Sequence, residues 1–155
     1  MRSSHLLKCI LFVSLVGSSA ALAATTDTVS LSGSIASTLS VAATDTAGAT
    51  SLDLSAGEKI AQVADVNMST NNDAGLTLTA TAGNLSHTGT DIAFQVTSVA
   101  DGATAPDNTG FAAGTHTTTA ARGSTDKDLY ILYNPAGTEG AGAYTGSIAL
   151  DVTDN

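Results

Sequence analysis

Serine, histidine and aspartate all occur in the chain, so the parts of an acyl-transfer triad are present. Their arrangement does not support one. No G-x-S-x-G strand–turn–helix elbow occurs, and His87 and His116 lie in polar, turn-like or weak-strand stretches. Two histidines without thiols or a nearby glutamate do not make a zinc site. Asn71-Asn72-Asp73 and Asp126-Lys127-Asp128 could offer oxygen ligands to Ca²⁺, but neither follows an EF-hand or repeat-type spacing. Turn chemistry accounts for the first and solvation for the second. Gly137, Gly140, Gly142 and Gly146 do not form G-x-G-x-x-G and precede a strand, which reads as a flexible turn. Asn67 and Asn84 open sequons by pattern only, in a chain where serine is common. Lys59 and Lys127 have no motif that marks an isopeptide crosslink. Tyr130, Tyr133 and Tyr144 read as sheet-packing residues, and with no tryptophan a sugar-binding platform is weakly supported. No catalytic residue, cofactor site or metal site is expected.

The elements that would position these residues begin with a leader. Residues 1–23 read as a secretory signal: Arg2 and Lys8, then the apolar run from Cys9 to Val16, then Ala21-Leu22-Ala23 as an A-x-A cleavage site. The run is too short to span a bilayer. Export through a periplasm to a cell surface or the medium is the expected localisation. The remaining 132 residues hold no cysteine, so neither a disulfide framework nor a thiolate metal site is available. Three bases (Lys59, Arg122, Lys127) face fourteen acids, a net charge of −11, which disfavours nucleic acid and anionic lipid. Leu, Ile, Val and Phe make up only 24 of the 132 residues, close to the composition at which a chain fails to bury a core. One domain is the natural count at this length.

The patterning is that of strands. Val29, Leu31, Gly33, Ile35, Leu39 and Val41 share one parity, with Ser or Thr and Ala on the other and Ser37 as the single break in the apolar face. Ala47–Thr50 reads as a loop, Ile60–Met68 as a strand of mixed pattern, and Asn71–Gly75 as a turn. Leu76, Leu78 and Ala80 alternate with threonines. Gly83-Asn84 and His87-Thr88-Gly89 mark loops around a strand carrying Ile92, Phe94 and Val96. Within the less legible stretch 100–128, Asp101-Gly102, Pro106-Asp107-Asn108 and Gly110 make a long polar loop and Thr115–Ala121 reads as a strand poor in apolar residues. Leu129–Tyr133 is apolar on both faces, as a central strand should be. Tyr144, Gly146, Ile148, Leu150 and Val152 alternate to the C-terminus. No segment carries a capped 3.6-residue period; Ser55–Glu58 resembles a capping box without a helix behind it. Seven to nine short strands predict a β-sandwich of immunoglobulin-like type.

One feature does not fit a closed sandwich. Val29 to Val41 would span roughly 43 Å as one strand at ~3.3 Å per residue, against about 5–6 residues for a usual strand. Either a single strand bends or switches sheets at Ser37, or an extension (about 28–37) precedes a true first strand (about 38–42). An exposed alternating strand invites pairing with another chain's sheet edge.

On these two terminal segments the chain resembles the pilin subunits of chaperone–usher pili, particularly the spore-coat-U-like branch. The extension Thr28-Val-Ser-Leu-Ser-Gly-Ser-Ile-Ala carries a glycine on its apolar face. The ending Ala143-Tyr-Thr-Gly-Ser-Ile-Ala-Leu-Asp-Val-Thr is close to the A-G-x-Y-x-x-x-(V/I)-x-(V/L)-x-V pattern that closes such subunits. It lacks the cysteine pair of the best-known pilins and has Asp154 where an aromatic is usual. The resemblance implies a sandwich missing one strand, filled by a neighbour's extension and beforehand by a periplasmic chaperone, with an outer-membrane usher. By position, Val29, Leu31 and Ile35 would be the inserted plugs and Gly33 would meet the shallowest point of the groove. Tyr144, Ile148, Leu150 and Val152 would line an acceptor edge. The expected organisation is a signal at 1–23, a donor extension at 24–37 and a pilin domain at 38–155, forming an adhesive or biofilm fibre by self-association without membrane insertion. The competing reading is a secreted monomeric β-sandwich that binds a glycan or Ca²⁺.

Overall fold

The computed structural model describes residues 27–155. The signal-peptide reading and the first residues of the expected extension lie outside them. The chain divides into two units, Met1–Ser34 and Ile35–Asn155. Within the first, residues 27–34 form no helix or strand, and Val29 and Leu31 are 85% and 92% exposed.

The second unit is nearly all β: two antiparallel sheets facing each other across one core. Its elements are β1 (Leu39–Asp45), a one-turn helix α1 (Ala47–Thr50), β2 (Lys59–Thr70), β3 (Leu76–Thr81), β4 (Gly83–His87), β5 (Thr90–Ala100), β6 (Thr115–Ala120), β7 (Gly123–Tyr133) and β8 (Ala149–Asp154). The first sheet runs β1-β2-β7-β5-β4 and the second β6-β3-β8. The core takes Val66 and Met68 from β2, Leu76, Leu78 and Ala80 from β3, Phe94 and Val96 from β5, and Leu129, Ile131 and Tyr133 from β7. These are the period-2 positions of each strand, as a sheet with one buried face demands. In β7, Tyr130 and Leu132 are buried on the opposite face as well, and the strand is central, with β2 and β5 as its neighbours in the sheet.

The mixed pattern of β2 has a physical cause. Gln62 pairs with Tyr130 and Ala64 with Leu129, so Val63 is an extra residue and the register shifts there. Apolar positions therefore change parity, from Ala61 and Val63 to Ala64, Val66 and Met68. On the other edge of β2, Thr46 continues the β1 register one step past Asp45: its amide donates to Val63 O at 3.0 Å and its hydroxyl to Gln62 O at 2.5 Å. These bonds help seat α1, which the loop reading of Ala47–Thr50 did not anticipate. Among its own groups Thr46 makes no side-chain cap.

Other differences from the pattern are local. Gly83-Asn84, read as a loop, opens strand β4. The β4–β5 hairpin turns on Thr88 and Gly89, both at positive φ (42° and 85°), as a two-residue type I′ loop requires. The first strand begins only at Leu39. The C-terminal alternation, which reads as one strand, is divided. Thr145 exchanges backbone hydrogen bonds with Ser86 of β4 (2.8 and 3.2 Å), and the chain then crosses to the second sheet as β8. The crossing passes so close to β4 that a Cβ on Gly146 would lie 2.5 Å from Asn84 O.

The two faces of β3 differ in what they contribute. Leu78→Ala should cost about 2–5 kcal/mol, by lost burial plus the cavity left behind. Thr79→Ala, on the outer face, should stay within about 0.5 kcal/mol. Urea unfolding of the two variants measures the contrast.

Candidate functional site: an open cleft between the edge strands

β1 and β8 are each the last strand of a sheet. Among the described residues, β1 pairs only with β2, and β8 only with β3. Their inward side chains follow from register. Leu39, Val41 and Ala43 stand opposite Thr70, Met68 and Val66 of β2, and Leu150 and Val152 stand opposite Ala80 and Leu78 of β3. All five therefore point toward the core side of their sheets. Yet Leu39 and Val41 remain 38% and 36% exposed, and Leu150 and Val152 are only half-buried. The sandwich stands open along this side.

Toward the far end of β1 the opening widens into a cleft of about 340 Å³, whose walls include Ala43, Leu52, Leu85, Leu129, Ile148 and Leu150. The segment that bounds this end is tied down at Asp53. Lys59 Nζ lies 2.8 Å from its carboxylate, and Tyr133 Oη donates to its carbonyl at 3.2 Å. Bonds from Lys59 and then Ser55 hold the Asp53 carboxyl far below the ordinary carboxylate value.

At the other end, where β8 finishes beside the start of β1, the groups are polar. The Asp154 carboxylate accepts from Thr70 Oγ1 at 2.6 Å and from Ser37 Oγ. Thr38 N–H donates to Asn71 Oδ1 at 2.7 Å, and Asn71 Nδ2 donates to Ala36 O at 3.0 Å. Asn155 closes the corner, its amide donating to Gly75 O at 3.0 Å and its side-chain oxygen accepting from Thr77 at 2.5 Å.

Of the residues singled out in the sequence, Ile148 and Leu150 line the cleft, and Val152 lies on the same face of β8. Tyr144 stands apart. It precedes the crossing at Gly146, its hydroxyl donates to Gly140 O at 3.2 Å, and its ring lies 5.2 Å from that of His87 on β4. Ile35 is 91% exposed, and a Cβ placed on Gly33 would meet nothing within 4 Å. Reading along the chain did not single out Leu52 or Leu85 as cleft residues, nor Asn71 as a partner of residues 36–38. The Asn71-Asn72-Asp73 turn signal was visible, but the pairing partner lies more than thirty residues away.

The chemistry-bearing residues have structural partners. Asn72 Oδ1 accepts from Ala74 N–H at 3.0 Å, Asp126 accepts from Asn67 at 2.6 Å, and Asp128 accepts from Gly102 N–H at 3.1 Å. Ser98 meets His116 Nε2 through both its amide (3.2 Å) and its hydroxyl (3.0 Å), which ties β6 to β5. Burial, and then Lys127, holds the His116 pKa below its ordinary value, consistent with a neutral ring accepting the Ser98 amide. Among the described residues, no three His, Cys, Asp or Glu side chains gather as a metal site. No family model, curated protein or solved structure matches the chain.

The bonds from Ser37 and then Thr70 hold the Asp154 carboxyl below the ordinary carboxylate pKa. A depressed carboxylate contributes stability above its unfolded pKa, about 3.9, and loses it as pH falls through the folded value. A carboxyl-resolved NMR titration should find Asp154 below that value in the native protein and higher in Ser37→Ala. Asp154→Asn should remove its share of the acid-side loss of stability.

Proposed function

We propose that the protein is a structural subunit of an extracellular fibre, built by each subunit lending its N-terminal segment to the next. One observation carries this reading. Among the described residues, the last strand, β8, leaves its outer edge unpaired above an apolar opening, while residues 29–35 of the same chain form an alternating apolar segment that is in no sheet.

The strand order supports an immunoglobulin-like sandwich that lacks its final strand. In that fold strands A, B, E and D form one sheet and C, F and G the other. Here β1, β2, β7 and β5 take the order A-B-E-D, and β3 and β8 take the places of C and F. The position beyond F, where G would lie, is the free edge of β8. β4 and β6 are additional edge strands.

Dimensions agree. β8 has six residues, about 20 Å as a strand, and Val29 to Ile35 spans about the same length when extended. Burying Val29, Leu31 and Ile35 would yield ~5–9 kcal/mol as an upper figure. Ladder hydrogen bonds add to that, and ordering about seven residues opposes it at ~1–2 kcal/mol each. The net gain therefore depends on pairing the backbone as well as burying side chains, which is what β-strand addition provides. A chaperone that covers the same edge before assembly, and an usher that exchanges it for the next subunit, fit a protein carrying an open edge through a periplasm. The acidic surface would face outward on the fibre, where it keeps filaments apart and limits contact with anionic surfaces.

Deleting residues 24–36 should abolish polymerisation. A peptide of residues 27–36 should bind the truncated protein and raise its melting temperature; at a hundredfold excess over Kd the added stability is about 2.7 kcal/mol. Leu31→Asp should weaken both peptide binding and fibre formation. Electron microscopy for filaments and calorimetry with peptide read these out. Full-length protein that stays monomeric, together with truncated protein indifferent to the peptide, would establish a self-contained secreted module instead.

A further inference from the structure

The segment that leaves the sandwich before β1 has two clefts open to it: that of a second copy and its own. The geometry within the second unit bears on that choice. β1 runs away from the corner where Leu39 pairs with Thr70, and β8 runs toward it, ending with Asp154 bonded to Thr70. For residues 29–35 to lie between β1 and β8 of their own sandwich, the chain would have to reverse at residues 36–38 and return alongside β1 as a hairpin.

Residues 36–38 are held in a way that opposes this reversal. Asn71 N–H donates to Thr38 O at 3.3 Å, continuing the β1–β2 ladder one step past Leu39. The Asn71 side chain then takes over the role of a neighbouring strand. Its oxygen accepts from Thr38 N–H at 2.7 Å, and its nitrogen donates to Ala36 O at 3.0 Å. In an extended strand, the carbonyl of one residue and the amide two residues on point the same way, and one amide side chain bridges both. A tight turn instead points such groups at each other across the loop. Ser37, between them, donates to Asp154 at the end of β8, so the corner of the opening is occupied where a hairpin would have to turn in.

We propose that Asn71, assisted by the Ser37–Asp154 bond, holds the chain open at Ala36–Thr38 and thereby directs residues 29–35 into the cleft of a second copy instead of their own. This rests on the strand-donation reading above and adds a positioning residue that selects the acceptor. Asn71 is not among the walls of the cleft; it lines a separate pocket of about 350 Å³ with Ser37 and with Ile35, the last residue of the segment. Its effect is on the ratio of self-inserted monomer to open, assembly-competent monomer. Loss of one net hydrogen bond shifts such a ratio by about five- to tenfold.

The test uses the mature chain refolded at fixed concentration, with Asn71→Ala, Ser37→Ala and the conservative Asn71→Asp. Fluorescent peptide 27–36 is the probe, and size-exclusion chromatography gives polymer yield. Asn71→Ala should lower polymer yield about fivefold or more and enrich a heat-stable monomer that no longer binds the peptide. Ser37→Ala should shift both readouts in the same direction by less. Asn71→Asp keeps the acceptor for Thr38 and should restore part of the yield. In protein lacking residues 24–36, Asn71→Ala should bind the peptide as tightly as the parent, because no tethered competitor remains. Weakened binding there would mean that Asn71 acts on the cleft itself, and the proposal would fail. It fails equally if full-length Asn71→Ala polymerises like wild type. If wild type forms no polymer and truncated protein ignores the peptide, strand donation fails and takes this inference with it.

Discussion

A β-strand with one unpaired edge is a set of backbone donors and acceptors that water must satisfy unless another strand does. In this protein both sheets end in such strands, and the edge of β8 is one that borders an opening instead of the usual polar rim. Leu150 and Val152 below it are half-buried, and across the gap Leu39 and Val41 keep more than a third of their surface exposed. Backbone edge and apolar surface are thus left incomplete along the same line. Contact with an extended apolar segment can satisfy both at once, which a globular ligand would not do. The proposed strand donation follows from that pairing of deficits.

The composition fits the same constraint. With so few large aliphatic residues, the chain spends most of them on the facing sides of two sheets, while Val29, Leu31 and Ile35 stand exposed outside any strand. What else is left outside is Thr, Ser, Ala and Gly, which form strands and turns without adding core. Such a sandwich has little apolar surface with which to cover its own open side. Polar groups gather at the corner where β1 begins and β8 ends. There Asn71, Asp154 and Asn155 bind the turn after β2, the C-terminus and residues 36–38 into one network. The apolar cleft and the polar corner occupy the two ends of one opening, so a strand entering it meets a bonded corner at one end and a pocket at the other.

Much of this was legible along the chain. Period-2 alternation marked β3 and β5 because each has one face toward a core, and the apolar residues on both faces of Leu129–Tyr133 marked a central strand. Other elements were obscured for identifiable reasons. The β2 pattern was blurred because one bulged residue at Val63 reverses the parity of everything after it. Gly83-Asn84 looked like a loop because glycine and asparagine carry turn signals whatever their neighbours, while pairing with Phe94 and Ala93 made them strand. The run from Tyr144 to Val152 looked continuous because alternation does not record which sheet a residue joins. Only the approach of Gly146 to Asn84 divides it, and that division separates Tyr144 from the cleft that Ile148 and Leu150 line.

By itself the amino-acid sequence determined that the protein would be β, acidic and free of disulfides, and that its best apolar alternation would lie near the two ends. These follow from side-chain type and spacing, which are local. Tertiary structure decided which edges remain open, that β1 and β8 flank the same gap, and that Asn71 reaches back to residues 36–38. Those depend on strand order and register, and antiparallel pairing brings together residues more than thirty positions apart through backbone groups that every residue shares. The alternation shows that a strand can form, whereas sheet order determines whether it already has neighbours on both sides.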